Sequence, residues 1–355
     1  MPKVAKSAKQ AKSNIEPIKS NRINLHTILD HADRLRGVLA FIVVFILGIA
    51  LSPKSFSTGT STFLNLATQK DILFEFAEYG ILAAGMTMVI IAAGIDLSVG
   101  SVLGFAATLS SLLLIGYGWS PLPAIIVTLL ATGALGAING VIISKFRIQP
   151  FVATLGTMLV ARGAAKWISN GIKVEPAAQP WYKLHEQNPH VFDWMTSPLK
   201  HIGLQPVTLA FLLAIIILWI VLKFTKFGRY IYAVGGNEEA ARLSGIPVGF
   251  VKTAAYTICG ITSGLAGICN ASRMTLGDPE AGATYELDAI AAVVIGGTSL
   301  MGGKGGMFFT FLGTLIIAYI SKILSLRGVP EANRLIIRGA LIVIAVLIQQ
   351  SRKNK

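Results

Sequence analysis

Charged side chains are scarce in this sequence. Asp, Glu, Lys and Arg make up only 14% of its 355 residues, whereas 53% are hydrophobic and the mean hydropathy is +0.66. In an ordinary soluble domain, about a quarter of the residues are charged. The composition therefore excludes a soluble globular domain and indicates an integral membrane protein.

Acidic residues and cysteines are rarer still. There are 17 Asp and Glu against 31 Lys and Arg, which gives a formal net charge of +14. Membrane topology explains such an excess, so nucleic-acid binding is not expected. Cys259 and Cys269 lie in one apolar run, too far apart along a helix for a disulfide. The sequence has no metal-ligating cluster and no nucleophile paired with a base, so we expect no metal site and no catalysis on this chain.

Long apolar runs are abundant. A transmembrane helix needs about 20 mostly apolar residues, and runs of this kind recur along the chain. They predict an all-α polytopic membrane protein with about ten transmembrane helices, an internal repeat and broken helices. The predicted spans are 37–52, 73–93, 98–117, 122–144, 150–168, 206–222, 250–270, 287–301, 306–325 and 332–349. The first and the eighth are short, which fits either a broken helix beside a pathway or a misplaced boundary.

The distribution of Lys and Arg sets the predicted orientation. Most of them fall on the cytoplasmic side when both termini are placed there. The predicted organisation is a basic, partly disordered cytoplasmic tail over 1–36 that contacts anionic lipid, and a transmembrane domain over 37–350. An outer loop over 170–205, an inner loop over 223–249 and a cytoplasmic tail over 351–355 complete it.

The inner loop contains a short helix signature. Asn237 is a typical N-cap, Glu238 and Glu239 occupy the first turn, and Gly245 follows the last. We expect this helix to present the small side chains of Ala240 and Ala241 to whatever binds it. From the residues alone, an ordinary cytoplasmic connector is the favoured interpretation.

Asp96 lies between two apolar runs, in "AAGIDLSVGS". A carboxylate exposed to hydrocarbon costs roughly 3 kcal/mol or more, so it must face protein or water. Two hypotheses follow: a structural cap that holds a tight turn together with Ser98, or direct exposure to a pathway. The same choice applies to Glu286 and Asp288, with Tyr285, at the outer mouth of the eighth span.

Other polar side chains fall inside predicted spans. For Asn139, Thr154 and Thr157 we expect hydrogen bonding between helices, with lining of a pathway as the alternative. Arg162 and Lys166 share one helix face. They either extend to the outer interface or pair with Glu75 and Glu78.

Glycine-rich sequence occurs twice in a similar pattern. "VVIGGTSLMGGKGGMFF" echoes "IIAAGIDLSVGSVLGF", which suggests a duplicated unit. The first stretch is not a phosphate-binding loop, because Gly305 rather than Ser or Thr follows Gly303 and Lys304. We therefore expect no cofactor on this chain.

Four stretches together resemble one family: "GMTMVIIAAGIDLSVGSVLGF", "QPFVATLGTMLVARG", "FGRYIYAVGGNEEAARLSGIPV" and "YELDAIAAVVIGGTSLMGGKGG". They are similar to the permease subunits of bacterial ABC importers for ribose, galactosides, xylose and related simple sugars, over roughly 65–349. The resemblance implies a multi-pass protein of the bacterial inner membrane that pairs with a second permease copy, as a homodimer or a heterodimer. It also implies separate ATP-binding subunits that hold ATP and Mg, and a periplasmic or lipid-anchored binding protein that delivers the sugar.

The resemblance assigns the short helix of the inner loop. In such permeases this position carries the coupling helix that docks into the ATP-binding subunit. The residues implied are Gly235, Gly236, Asn237, Glu238, Glu239, Ala240, Ala241, Arg242 and Gly245.

The function expected is therefore the import of a ribose-like pentose or a galactose-like hexose. One alternative is an ion-coupled secondary transporter that uses Asp96 and Glu286. Others are a permease of the same family for a nucleoside or a furanose signalling molecule, and a membrane scaffold that senses sugar without transport.

Overall fold

The computed structural model describes residues 25–54, 59–175 and 192–350, which form an all-helical bundle. Within these ranges, β-pairing is confined to two isolated bridges, Lys54 with Ser61 and Val174 with Gly277. The α-helices, in chain order, are α1 (Leu25–Leu51), α2 (Leu66–Glu75), α3 (Ala77–Ile91), α4 (Val99–Ser111), α5 (Pro121–Phe146), α6 (Pro150–Ile168), α7 (Asp193–Thr196), α8 (Pro206–Phe224), α9 (Lys226–Gly236), α10 (Glu238–Leu243), α11 (Val248–Met274), α12 (Tyr285–Ile295), α13 (Met307–Leu326) and α14 (Glu331–Gln350).

Several helix ends follow from local sequence. Pro121, Pro150 and Pro206 each occupy the first position of a helix, where the missing N–H costs nothing and the fixed φ angle is already helical. Thr225 caps α9, since its hydroxyl accepts a hydrogen bond from the backbone N–H of Gly228 at 3.1 Å. After Ser111, α4 continues as a π-helical turn, Leu112–Gly116.

Each predicted span coincides with at least one helix. In the described part of the chain, four helices are long and apolar enough to cross a membrane: Val99–Gly116, Pro121–Phe146, Pro206–Phe224 and Met307–Leu326. The pair formed by α2 and α3, bent by 53° at Phe76, makes a fifth if it is counted as one span. This break lies at the start of the second predicted span, not in the first or the eighth, where the sequence suggested one.

Two predicted boundaries are wrong. Helix α1 begins at Leu25, so it extends into the predicted tail, of which residues 1–24 lie outside the described part. The eighth span, 287–301, ends early, because α12 stops at Ile295 and a non-helical stretch over 296–306 follows. Glycines with positive φ, such as Gly302 at 82° and Gly303 at 69°, favour this irregular backbone. The tail 351–355 and the central part of the outer loop, 176–191, lie outside the described residues.

Helix α11 is the centre of the bundle and packs along α3, α4 and α5. Glycines allow the close approach of α5 and α11: a Cβ at Gly136 would overlap the carbonyl oxygen of Tyr256, and one at Gly260 would overlap that of Thr132. Close packing at small residues is the usual way in which helices associate in a membrane, where lipid provides no hydrophobic drive between them.

The segment between α11 and α12 turns back along α4. Gly277 packs against Ala107, and Gly282 packs against Gly100 near the start of α4. We call residues 275–284 the re-entrant segment. At 1.5 Å per helical residue, it follows α4 for about 10 Å.

Candidate functional site

The short helix of the inner loop forms as expected. Helix α10 runs over Glu238–Leu243, and the Asn237 side-chain oxygen accepts a hydrogen bond from the backbone N–H of Ala240 at 2.9 Å. Gly245 follows with φ at +80°, a conformation that glycine adopts without strain. The predicted helix and its N-cap are confirmed.

The surface of α10 differs from the expected one. Ala240 and Glu239 are exposed, but Ala241 is only 4% exposed and packs into the core of its own chain. The expectation that both alanines face a partner is therefore wrong for Ala241. Leu243, which sequence reasoning missed, is 82% exposed and is the apolar side chain that this helix offers. The sequence feature that could have identified it is a single leucine between Arg242 and Ser244 at the end of a polar helix.

Ion pairs attach α10 to the bundle. The Glu238 carboxylate accepts from Arg242 Nη2 at 2.9 Å, one turn along the same helix, and pairs with Lys252 Nζ of α11 at 2.5 Å. Arg242 also lies 3.9 Å from Glu239. The contact with Lys252 links α10 directly to α11.

Helix α9 connects α10 to the end of α3 and to the non-helical stretch 296–306. Gly235 packs so closely against the end of α3 that a Cβ would overlap the carbonyl oxygen of Ile91. That oxygen also accepts a hydrogen bond from the N–H of Gly303 at 2.9 Å, and Tyr232 donates its hydroxyl to the carbonyl oxygen of Gly305 at 2.9 Å. Burial raises the pKa of Tyr232, so the hydroxyl keeps its proton and remains a donor. Gly236 is exposed beside Gly235.

Four of the polar residues singled out in the sequence form one buried chain of hydrogen bonds. Thr157 of α6 donates to the Asn139 side-chain oxygen at 2.5 Å, and the Asn139 amide donates to the Ser98 hydroxyl at 3.1 Å. Ser98 donates to Asp96 from its hydroxyl at 2.5 Å and from its backbone N–H at 2.9 Å. The chain joins α6, α5 and the turn before α4.

Asp96 is 2% exposed and its partners are local. Both hydrogen bonds that the carboxylate accepts come from Ser98, two residues along the chain. This is the geometry of a capped turn. Its role in transport remains a prediction.

The remaining candidates are not part of this chain. Thr154 donates to the carbonyl oxygen of Pro150 in its own helix at 2.9 Å, so it makes no interhelical bond. The ring of Tyr285 stacks on Tyr79 with centroids 4.3 Å apart. Asp288 lies 3.7 Å from Arg338 of α14. The Glu286 carboxylate lies beside Gly100, near the start of α4. It is therefore not level with the far end of α4, where the re-entrant segment begins.

The proposed pairing of Arg162 and Lys166 with Glu75 and Glu78 is wrong. Arg162 Nη1 donates to the carbonyl oxygens of Pro279 and Ala281 at 2.5 and 2.9 Å, and Lys166 pairs with Glu280 at 2.5 Å.

The two acids of α2 and α3 have other partners, which are remote in sequence. Glu75 pairs with Lys322 at 2.9 Å, and the buried Glu78 pairs with Arg273 and accepts from Asn270 at 2.5 Å. Sequence spacing on one helix could not reveal partners on two other helices, α11 and α13.

Comparison with known proteins gives one consistent result. Residues 69–346 match the family described as branched-chain amino acid transport system / permease component. The chain is 38% identical over 320 residues to the ribose import permease protein of Escherichia coli (strain K12), which covers 90% of this chain and 94% of that one. It is 39% identical to the ribose import permease protein of Bacillus subtilis (strain 168), covering 88% and 91%. It is 35% identical to the xylose transport system permease protein of Escherichia coli (strain K12), covering 84% and 88%. No solved structure matches the chain.

Proposed function

Because this chain belongs to the family of branched-chain amino acid transport system permease components, we propose that it is the membrane subunit of an ATP-driven importer of a simple sugar. It works as a pair of permease copies, with separate ATP-binding subunits that hold ATP and Mg and a periplasmic binding protein that delivers the sugar. We place it in the bacterial inner membrane with both termini in the cytoplasm. The observation that carries this proposal is α10, a capped helix with an exposed polar and leucine surface.

A pentose is the favoured substrate. The family description mentions branched-chain amino acids, but the relatives that align over most of this chain are import proteins for ribose and xylose. Full-length identity of 35–39% is more informative about substrate than a description shared by a broad family. Hexoses, nucleosides and leucine are the competing substrates to test.

The geometry supports a route for coupling. When ATP-binding subunits close, a force on α10 reaches α11 through the ion pair of Glu238 with Lys252. The same force reaches the end of α3 and the stretch 296–306 through α9, at Gly235 and Tyr232. A helical bundle changes shape with the least loss of helical hydrogen bonds where its backbone is non-helical. The turn that follows α3 and the stretch 296–306 are therefore suited to serve as hinges.

The competing mechanism, an ion-coupled transporter, has less support. A coupling carboxylate must exchange an ion with water, but the Asp96 carboxylate is buried and already accepts two hydrogen bonds from Ser98.

The test is reconstitution of the chain with candidate ATP-binding subunits and a sugar-loaded binding protein in liposomes. We expect co-purification, ATP hydrolysis stimulated by the loaded binding protein, and uptake of ribose or xylose but not leucine. Glu239→Lys reverses an exposed charge on α10 and should abolish the stimulation and weaken co-purification. Asp71→Lys, an exposed acid on α2, is the matched control and should leave co-purification intact.

Uptake by this chain alone that collapses with a proton or sodium gradient would overturn the proposal. Binding of sugar without flux in the full complex would instead indicate a sensing scaffold. Equal effects of Glu239→Lys and Asp71→Lys would refute the assignment of α10 as the coupling helix.

A further inference from the structure

A cleft that combines apolar walls with a few polar side chains opens beside the re-entrant segment. Its lining includes Ser101 of α4, Met158, Leu159 and Arg162 of α6, Thr284 of the re-entrant segment, and Glu286 of α12. Its volume is about 200 Å³, below the roughly 300–1,000 Å³ of sites for drug-sized ligands. The cleft therefore suits a small solute.

Specific contacts hold the walls of the cleft in place, so it is not simply a gap between helices. Arg162 donates to the carbonyl oxygens of Pro279 and Ala281, which fixes the re-entrant segment against α6. Thr284 has φ at +69°, an uncommon conformation for a β-branched residue. Such backbone persists only where the surroundings hold it in place, and it is concentrated at functional sites.

The surroundings of the cleft argue that it faces water. Helix α6 exposes apolar side chains near it, including Leu155, Leu159 and Val160. A carboxylate and a guanidinium that open onto such a face are too costly to direct at lipid tails, so polar groups of this kind face a bundle interior or an aqueous cavity. The face that bears the cleft is therefore the part of this subunit suited to line a translocation pathway.

We propose that the transported solute is a polyhydroxylated compound and that it contacts the permease in this cleft. The Glu286 carboxylate accepts hydrogen bonds from sugar hydroxyls, and the hydroxyls of Ser101 and Thr284 donate or accept. Met158 and Leu159 pack against the C–H face of the sugar. This inference rests on the proposed import function and adds the residues that the sugar meets.

The first test compares two carboxylates in the full complex in liposomes, with ribose and xylose as probes. Glu286→Gln keeps the size but loses the charged acceptor, and we expect transport to fall on the order of tenfold, the effect of one charge-assisted hydrogen bond. Glu280→Gln is the matched control. It alters an exposed acid of the re-entrant segment that pairs with Lys166 outside the cleft, and it should transport like the parent chain.

The outcomes separate the two proposals. No ATP-driven uptake of either sugar by the parent complex would remove the proposed function itself. Normal uptake by the parent, with equal rates for Glu286→Gln and Glu280→Gln, would overturn the cleft alone. If Glu286→Gln does not assemble, the second test decides.

The second test uses single cysteines on α6. Leu159→Cys lines the cleft, whereas Val160→Cys lies at nearly the same depth, is 62% exposed and does not line it. The native Cys259 and Cys269 are buried, so the parent chain provides the background. We expect a small membrane-impermeant thiol reagent to label Leu159→Cys faster in the assembled complex, and ribose-loaded binding protein with ATP to slow that labelling. Equal labelling of the two cysteines, or no effect of the sugar, would refute the cleft as a contact site.

Discussion

Single residues determine how closely α9 approaches the core. Gly235 has no space for a side chain, because the carbonyl oxygen of Ile91 and the N–H of Gly303 occupy the position where a Cβ would lie. Its neighbour Gly236 faces open space. The two adjacent glycines therefore form a natural pair for mutation.

Gly235→Ala should push α9 away from the end of α3. Because the obstacle is backbone rather than a flexible side chain, we expect a loss of about 1–3 kcal/mol in the free energy of unfolding, as for overpacked cores. Transport should fall more than co-purification with the ATP-binding subunit. Gly236→Ala is the control. Thermal unfolding in detergent and uptake in liposomes are the measurements, and identical behaviour of the two variants would contradict the contact.

The buried hydrogen-bond chain allows a second test at single residues. Thr157 and Thr154 lie one turn apart on α6 and both are buried, but only Thr157 bonds to another helix. Thr157→Val leaves the Asn139 side-chain oxygen without this donor, and we expect a loss of about 1–3 kcal/mol. Thr154→Val removes a bond within its own helix and should cost less. A larger loss for Thr154→Val, measured by unfolding in denaturant, would exclude the chain as a stabilising network.

Helices α3 and α11 are fastened by a buried charge. Glu78 is 1% exposed, pairs with Arg273 and accepts from Asn270, all near one end of the two helices. Neighbouring Tyr79 stacks on Tyr285 and brings α12 to the same place. This cluster joins α3 to α11 and α12, which come much later in the sequence.

Glu78→Gln should leave Arg273, whose side chain is only 20% exposed, without its charged partner. We expect a loss of about 3–5 kcal/mol in the free energy of unfolding, as for one broken partner of a buried pair. The double variant Glu78→Gln, Arg273→Met removes both charges and should recover part of that loss. The double-mutant cycle is measured by thermal unfolding. Additive effects of the two single changes would show that the pair is not coupled.

Orientation is a property of the whole molecule. Residues 192–205 and helix α10 lie at opposite ends of the bundle, because Met195 contacts Ser272 near the end of α11, whereas Lys252 near its start pairs with Glu238. Lys200 and Leu243 are exposed at these two ends.

A cysteine at each of these positions should report the orientation. In intact bacterial cells, we expect an impermeant thiol reagent to label Lys200→Cys, which faces the periplasm, and to label Leu243→Cys only after permeabilisation. The parent chain, with its two buried cysteines, is the control. The reverse pattern would invert the proposed topology and place α10 out of reach of cytoplasmic ATP-binding subunits.

The sequence by itself determined the class of protein, the positions of the helices and the form of α10. Apolar run length is a local property, so the predicted spans all coincide with helices. Capping is also local, which is why Asn237 and Gly245 could be identified as the limits of α10. The quoted motifs were enough to identify the family.

Only the tertiary structure decided which side chains meet. The buried position of Ala241, the partners of Arg162 and the contact of Gly235 with Ile91 all depend on segments far apart in the chain. The re-entrant segment was missed for the same reason, since its glycines are explained by the α4 backbone they touch rather than by their neighbours in sequence. Periodicity describes one helix at a time, whereas the pathway and its coupling arise from packing between helices.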